Sequence, residues 1–412
     1  MMRRLLTITT LTLVAIVTMS AQGGSYYSAL GIGDMRRGVG AIYDAFAGTS
    51  IAMPTDHGIN TINPALLGMT PYTRLQAGYR FNQFNISSGD ISTSQNNGEI
   101  DGLLALFSID TARGFGIMLG VLPYSTVNYA STRPITTQLE GSTITARSNQ
   151  IGEGGMSRVV LGSSVRLTDA LYVGLKVQAF LGTTRYSDQI LIDGSGFNTI
   201  TSASTYDVRG LMGGAGLFFR VTDDFSIGAI ITAGADASVR QTDRVVGIAP
   251  GRVFVDTTIL TNSTTGLPFT LGGGVSWKTG KFLLGADVEY SDLSKVNVHT
   301  RPDATLGSSL HISAALSRPG NSSPAAPYFD RWGFHGGVGF DRSYITYAGS
   351  SLADYYASVG LDFPVGGAAI LDAALQGGRR ARSDGEGLSE LYARMTFTLS
   401  IGELWFRPFA RD

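Results

Sequence analysis

Few side chains in this sequence have the type and spacing for bond-breaking chemistry. Four histidines, His57, His299, His311 and His335, are scattered without metal-ligand spacing. There is no cysteine, which excludes thiol catalysis, cysteine zinc sites, iron–sulfur clusters and a disulfide scaffold. No Gly-x-Ser-x-Gly elbow, His-Glu-x-x-His helix, phosphate loop or complete Gly-x-Gly-x-x-Gly is present. No catalytic residue, cofactor or metal site is expected, and the chain reads as a non-enzyme.

The residues that could act are ones that bind. A hydrophobic ligand needs a water-poor surface with few polar anchors. Phe46, Ile51, Met53, Ile59, Ile62, Leu66 and Leu67 supply apolar candidates within one short stretch. A carboxylate head group needs a nearby guanidinium or ammonium. Arg158, Arg166, Lys176 and Arg394 are the cations that side-chain parity points away from the apolar face, with Asp287, Glu289, Asp362 and Glu390 as acidic counterparts. Asn63-Pro64-Ala65 is a turn in its own right. Pro64 fixes its own φ and biases Asn63 away from helix, and an asparagine side chain bonds nearby backbone.

The elements that must position these residues show period-two alternation. Leu171, Val173, Leu175, Val177 and Ala179 alternate with Tyr172, Gly174, Lys176, Gln178 and Phe180. Phe282, Leu284, Ala286, Val288 and Tyr290 form another such face, as do Leu391, Ala393, Met395, Phe397, Leu399 and Ile401. Segments of this length suit a tilted crossing of about 30 Å of hydrocarbon. A backbone in lipid cannot leave an edge unpaired, so such strands close into a barrel, apolar side outward.

Fourteen strands are expected, near 72–87, 99–109, 113–128, 154–167, 170–187, 205–221, 224–241, 267–278, 281–300, 329–340, 343–349, 353–363, 367–378 and 387–401, with twelve and sixteen as the other even counts. Tight turns are expected at 110–113, 168–169, 222–224, 279–280, 341–342 and 364–367. Three of them repeat a local pattern, Arg166-Leu-Thr-Asp, Arg220-Val-Thr-Asp and Trp277-Lys-Thr-Gly. Polar loops near 88–98, 129–153, 188–204, 242–266, 301–328 and 379–386 alternate with them. Outer-membrane barrels combine short periplasmic turns with longer external loops in this way.

Composition agrees. Charged residues are 15% of the 412 and glycines number 54, far from an average soluble domain. The net charge of −1 gives no electrostatic grip on nucleic acid. Met1-Met2-Arg3-Arg4, the apolar run from Leu5 to Val17, and the small pair Ser20-Ala21 read as a secretory signal peptide over 1–21. Residues 22–71 lack a spanning-length alternation yet are too apolar for a solvated tail, so they are expected to fold into the lumen as a hatch. The barrel would then occupy 72–401, with a periplasmic tail over 402–412.

The run Gly48-Thr-Ser-Ile-Ala-Met-Pro-Thr-Asp56, followed by Asn63-Pro64-Ala65-Leu66, resembles the N-terminal signature of the FadL/TodX family of outer-membrane transporters. The ending Gly402-Glu-Leu-Trp405-Phe406-Arg-Pro is similar to endings in relatives of that family. The resemblance implies an all-β, fourteen-stranded transmembrane barrel with a lumenal hatch in the bacterial outer membrane. It implies passive diffusion of hydrophobic molecules such as long-chain fatty acids or hydrocarbons. It also implies a gating role for Asp56, Asn63, Pro64 and Ala65. Phe46, Ile51, Met53, Ile59, Leu66, Arg166 and Arg394 are the ligand-binding candidates. The partners expected are outer-membrane lipid and lipopolysaccharide and a hydrophobic ligand, for a barrel read as a monomer. Two alternatives stay open, a PorV-like barrel that partners secreted proteins and a general porin.

Overall fold

The computed structural model describes residues 23–139, 142–192, 199–249, 252–299, 303–323 and 325–405. The expected signal peptide and most of the expected C-terminal tail lie outside these. A two-residue strand, β1 (Asp34–Met35), and one helical turn, α1 (Ala41–Ala45), precede the wall. So do 3-10 turns at Tyr26–Ala29 and Pro64–Met69.

The wall has fourteen spans. They are β2 (Thr73–Ser88), β3 (Ile91–Asp110), an interrupted span of β4 (Phe115–Thr126) and β5 (Tyr129–Leu139), β6 (Ser142–Arg166), β7 (Leu171–Ile192) and β8 (Thr199–Arg220). Next come β9 (Phe225–Gly234) with β10 (Ala237–Ala249), β11 (Arg252–Thr265) with β12 (Phe269–Thr279), β13 (Phe282–Asp292), and β14 (Ala304–Leu306) with β15 (Ser308–Arg318). The last four are β16 (Gly333–Tyr347), β17 (Ser350–Gly366), β18 (Ala369–Arg382) and β19 (Leu388–Glu403). Consecutive spans pair antiparallel. The sheet closes where β19 meets β2, from Glu403↔Thr73 to Leu388↔Ser88. We call the end holding Thr73 and Glu403 the lower rim.

Alternation places the apolar side chains outward. On β7, Leu175 and Val177 are exposed, whereas Tyr172, Lys176, Gln178 and Phe180 are buried inside. The lower turns use one recurring device. The Thr168 hydroxyl accepts from the amides of Ala170 and Leu171, and the Thr222 hydroxyl from those of Asp224 and Phe225. The third copy of the pattern ends instead in a two-residue turn, with Gly280 at φ 59°.

The count of fourteen survives two errors that cancel. The span containing β15 falls inside the expected loop 301–328, and β16 was expected as two strands split at Asp341-Arg342. The outward side of β15 includes Ala314 beside Ile312 and Leu316, and its inward side is His311, Ser313, Ala315 and Ser317. Small residues on both faces flatten the alternation. Asp341 is a lumen residue within a continuous strand, its carboxylate meeting His311 Nδ1 at 2.5 Å. The long connection is 319–332, at the lower rim, where turns were expected to be short.

The other expected loops are largely strand. Gly89-Asp90 alone joins β2 to β3, and β10 with β11 forms a long hairpin through 242–249 and 252–265. Above the apolar belt both faces meet water, so period two disappears while pairing persists. Cross-strand polar contacts such as Gln83 with Ser94 and Ser204 with Asp243 replace the apolar ones. The last strand also runs past 401, since Gly402 and Glu403 still pair with Arg74 and Thr73.

Candidate functional site

Residues 23–72 lie against lumen-facing side chains around the whole wall. Asn63 caps the 3-10 turn at Pro64–Met69, its Oδ1 accepting from Ala65 N at 3.0 Å. Its Nδ2 donates to Ile51 O at 2.7 Å within the segment and to Leu217 O at 3.1 Å on the wall. Lys176 Nζ donates to the carbonyls of Thr61 and Ile62 at 2.9 and 2.7 Å. Asp287 accepts from the amides of Ser50 and Ile51, Asp101 from Gly40, and Glu390 from Tyr26 and the Ser25 hydroxyl. Asp44 meets both sides of the closing seam, accepting from Arg80 on β2 and from Thr396 on β19. The backbone polar groups of an irregular segment are thus satisfied by the barrel.

Inward glycines make this approach possible. A methyl group at Gly216 would collide with Asn63 and Pro64, and one at Gly174 with Pro64. Gly228, Gly285 and Gly337 leave similar room for Ile51, Met53 and Phe46. Much of the high glycine content therefore belongs to the seat of this segment.

At its lower end, His57 bridges two carboxylates. Nδ1 lies 2.7 Å from Asp56 Oδ1 and Nε2 lies 2.8 Å from Asp372 Oδ1. Burial opposes charge on His57, yet the two carboxylates hold its pKa well above the ordinary imidazole value. Burial would raise Asp56 as well, but the hydrogen bond and charge of His57 bring it down to about 2.

The upper lumen is apolar. Tyr27, Leu30, Tyr124, Val127, Met156, Phe180, Tyr186, Met212, Tyr344, Ile345 and Leu352 belong to one buried cluster. A cavity of about 200 Å³ lies beside it, with one apolar side of Met35, Tyr124, Phe180, Met212, Ile230 and Tyr344 and one charged side on which Arg36, Arg37, Arg158, Lys176 and Arg380 face Asp34, Glu289, Asp341 and Asp354. Arg37 Nη2 pairs with Glu289 at 2.9 Å. Arg158 donates to Gln178 and to the carbonyl of Arg37, both at 3.0 Å. Arg37 Nε and Nη1 and Arg158 Nε are buried without a hydrogen-bond partner among the described residues. Burial opposes the Arg37 charge, but Glu289 and Asp341 hold its pKa above the ordinary value. Apolar walls beside unsatisfied cationic donors suit an amphiphile with an acidic head.

The third span is interrupted beside this chamber. β4 ends at Thr126 and β5 resumes at Tyr129, while β1 pairs with Ser125 and Thr126 inside. Val127 N donates to Gly154 O, and Gly154 has φ 102°.

The sequence-derived residues divide between several places. Phe46, Ile51, Met53, Ile59 and Leu66 are all buried where the segment packs on the wall, and none lines the 200 Å³ cavity, though Ile51 packs on Ile62 and Ile230, which do. Arg394 lines a smaller cavity of about 110 Å³ and donates to Asn82 and Gln376. Arg166 sits at the lower rim, donating to Ala112 O. Asp56 is at the lower end, and Asn63, Pro64 and Ala65 sit in the glycine seat. Parity placed Arg158, Lys176, Asp287, Asp362 and Glu390 inward, where they are buried. Several hold the N-terminal segment rather than one another. Arg36 and Arg37 belong to no motif that marks them, but they are adjacent cations and the only Lys or Arg within 22–71. Tyr124 and Met212 had no local signal, because their strands bring them together from distant positions.

A protein-family model described as BamG matches residues 1–409. No curated protein matches the chain in sequence. Among solved structures, the toluene transporter TbuX of Ralstonia pickettii is similar with a TM-score of 0.60 at 15% identity, over 89% of this chain and 98% of that one. A FadL homologue of Pseudomonas aeruginosa gives 0.61 at 12%, over 91% and 100%. The toluene transporter TodX of Pseudomonas putida gives 0.53 at 13%, over 90% and 99%. At such identities the likeness to FadL/TodX proteins is one of fold.

Proposed function

Since the chain belongs to the BamG family and folds as a barrel with an occupied lumen, we propose that it is a bacterial outer-membrane channel for passive diffusion of hydrophobic molecules. The lower rim faces the periplasm. Long-chain fatty acids or hydrocarbons are the cargo. The observation that carries this reading is the apolar upper lumen with its cavity and the unsatisfied donors of Arg37 and Arg158. A water-filled porin lines its lumen with polar side chains. Two of the similar structures are toluene transporters, which supports a hydrophobic cargo.

The ligand leaves outer-leaflet lipopolysaccharide or solvent, enters the apolar chamber, and places an acidic head against the two arginines. The break between β4 and β5 adjoins the chamber through Tyr124 and Val127 and offers a lateral way out. The segment 22–71 acts as the hatch, with Asn63-Pro64-Ala65 as its hinge against the wall and the His57 pairs as its lower latch.

The test is uptake of a labelled long-chain fatty acid by cells lacking their own transporter, with and without this protein. The expected result is protein-dependent uptake that is lost on deleting 22–66 while the barrel still assembles. Background uptake through a folded barrel would overturn the fatty-acid cargo. One observation favours a second reading, a barrel that docks other proteins at the surface. The hatch is held on every side, as a fixed support would be.

A further inference from the structure

The hairpin of β10 and β11 stands above the apolar belt. On β7 the outward residues change from Leu175, Val177 and Leu181 to Arg185, and on β8 from Leu211 to Arg209. Ser238 pairs with Arg209, so β10 beyond it is outside the hydrocarbon. From there to Ala249 the strand climbs roughly 30 Å further.

β11 is bonded along one side only. It pairs with β10 from Thr265↔Ala237 to Arg252↔Ala249. Along its other side no strand pairs among the described residues. The chain's own backbone meets only the base, where Gly266 N donates to Lys295 O and Asn297 N to the Thr265 hydroxyl. Every residue from Arg252 to Thr264 is exposed. Ile259 and Leu260 are 57% and 68% exposed, with Val253, Phe254 and Val255 beside them. Proteins blunt such edges with proline, lysine, bulges or a covering element. This strand contains no proline, glycine or lysine; its one bulge, at Phe254, and its charges, Arg252 and Asp256, lie toward the tip, the latter already bonded to Arg244, so Thr257–Thr264 carries none of these devices. Water, not lipid, surrounds these apolar side chains in the isolated chain.

We propose that the free edge of β11 is a strand-addition site at the cell surface, taking an extended segment of another protein as a further strand. The occupant follows from orientation. Two copies in one membrane share the same upright direction, related by an axis along the membrane normal. Such an axis keeps both copies of β11 climbing, so they cannot pair antiparallel, and strands tilted by about 35–45° would cross at about 70–90° instead of running alongside each other in parallel, so a second copy does not fit. Among the described residues, the chain's own backbone turns in at the base and leaves Arg252–Thr264 open. The partner segment is extended, free of proline, rich in β-branched residues, and bears no second acid opposite Asp256. The site is independent of what the lumen carries. It gives the docking reading its surface, and loss of uptake would leave it standing.

The first test uses the full protein, one barrel per nanodisc, and a synthetic peptide with the β10 sequence Ala237–Ala249, which already complements β11 from the other side. In the free protein, alternate amides of Arg252–Thr264 exchange with solvent rapidly while those bonded to β10 are protected. The peptide should slow the rapid set tenfold or more. A control peptide with proline at the positions of Arg244 and Val245 should not. Full protection in the free protein, no effect of the peptide, or protection only with two barrels per disc would each overturn the proposal. The second test is in cells. The chain lacks cysteine, so Thr257→Cys carries a photo-crosslinker at one position. The expected product maps to an extended stretch of a different surface protein and disappears in the Val255→Lys/Ile259→Lys background. Crosslinks to this chain alone, or none from a folded barrel, overturn it.

Discussion

Asn63 makes three bonds with one side chain, two of them fully buried. Removing it leaves the buried Ala65 amide without its acceptor and breaks the tie to the wall, a cost of about 1–3 kcal/mol. Asn63→Ala should therefore loosen residues 50–66 to protease while the barrel keeps its heat-modifiable migration. Unchanged protection would remove the motif from the anchoring of the hatch. His57 makes a pH-dependent contribution of known sign. Its raised pKa means the stabilisation is fully present below about 6.5 and is lost as pH rises through the folded value. The contribution of Asp56 is present above about 4 and lost as pH falls through about 2. Arg74, Asp362 and Asp372 are the other charged groups around the latch. Amide exchange at 54–60, corrected for intrinsic rate, should rise from neutral to alkaline pH, and His57→Gln should abolish that rise. A flat profile in the unmodified protein would refute the latch. At the cavity, Arg37→Met and Arg158→Met should each weaken a long-chain carboxylate about tenfold, or about 1.4 kcal/mol. A neutral alkane of the same length should bind as before. Equal losses for both ligands would mean that the arginines only hold the chamber's shape.

At the scale of elements, the fit between hatch and wall is steric as much as polar. Gly216 is inward on β8 directly under Asn63-Pro64. Gly216→Val keeps the strand's pairing and suits a strand by propensity, yet overfills the seat. A cost of about 1–3 kcal/mol is expected, all of it in hatch docking. A barrel that assembles normally with newly cleavable residues 50–66 is the predicted result. Unchanged cleavage would mean that the seat can relax. The sequence was most informative about elements where one face meets lipid. β7, β13 and β19 were legible because Leu, Val and Phe alternate with Gly, Thr and charge. β15 was not, because alanine and serine occupy both its faces. The upper hairpins were hidden for a related reason, since the apolar residues of β11, Val253–Val255 and Ile259–Leu260, are consecutive and do not alternate. The inward direction of Lys176 and Asp287 followed from parity. Their partners did not, because parity says nothing about what lies across the lumen.

For the whole molecule, the arrangement predicts a closed conductance state that depends on the hatch. Deleting 22–66 should convert a silent barrel into one with stepwise ion conductance in planar bilayers. A folded deletion variant that stays silent would show that the apolar upper chamber is itself the barrier. That the wall is a closed barrel was readable from composition and alternation taken together, whereas the count of fourteen rested on two errors that cancel. The chamber was not readable, because Tyr27, Tyr124, Phe180, Met212 and Tyr344 converge from across the chain.

Asp44 holds β2 through Arg80 and β19 through Thr396, the two strands whose pairing closes the cylinder. The hatch is bonded to both lips of that seam from within, and to walls between them through Lys176 and Asp287. A segment bonded to both lips binds the closed seam better than an open one, so docking of the segment and closure of the seam are linked equilibria. Whatever loosens Asp44 from Arg80 and Thr396 should therefore also make the pairing of β2 with β19 easier to open, even in a barrel that can assemble without the segment.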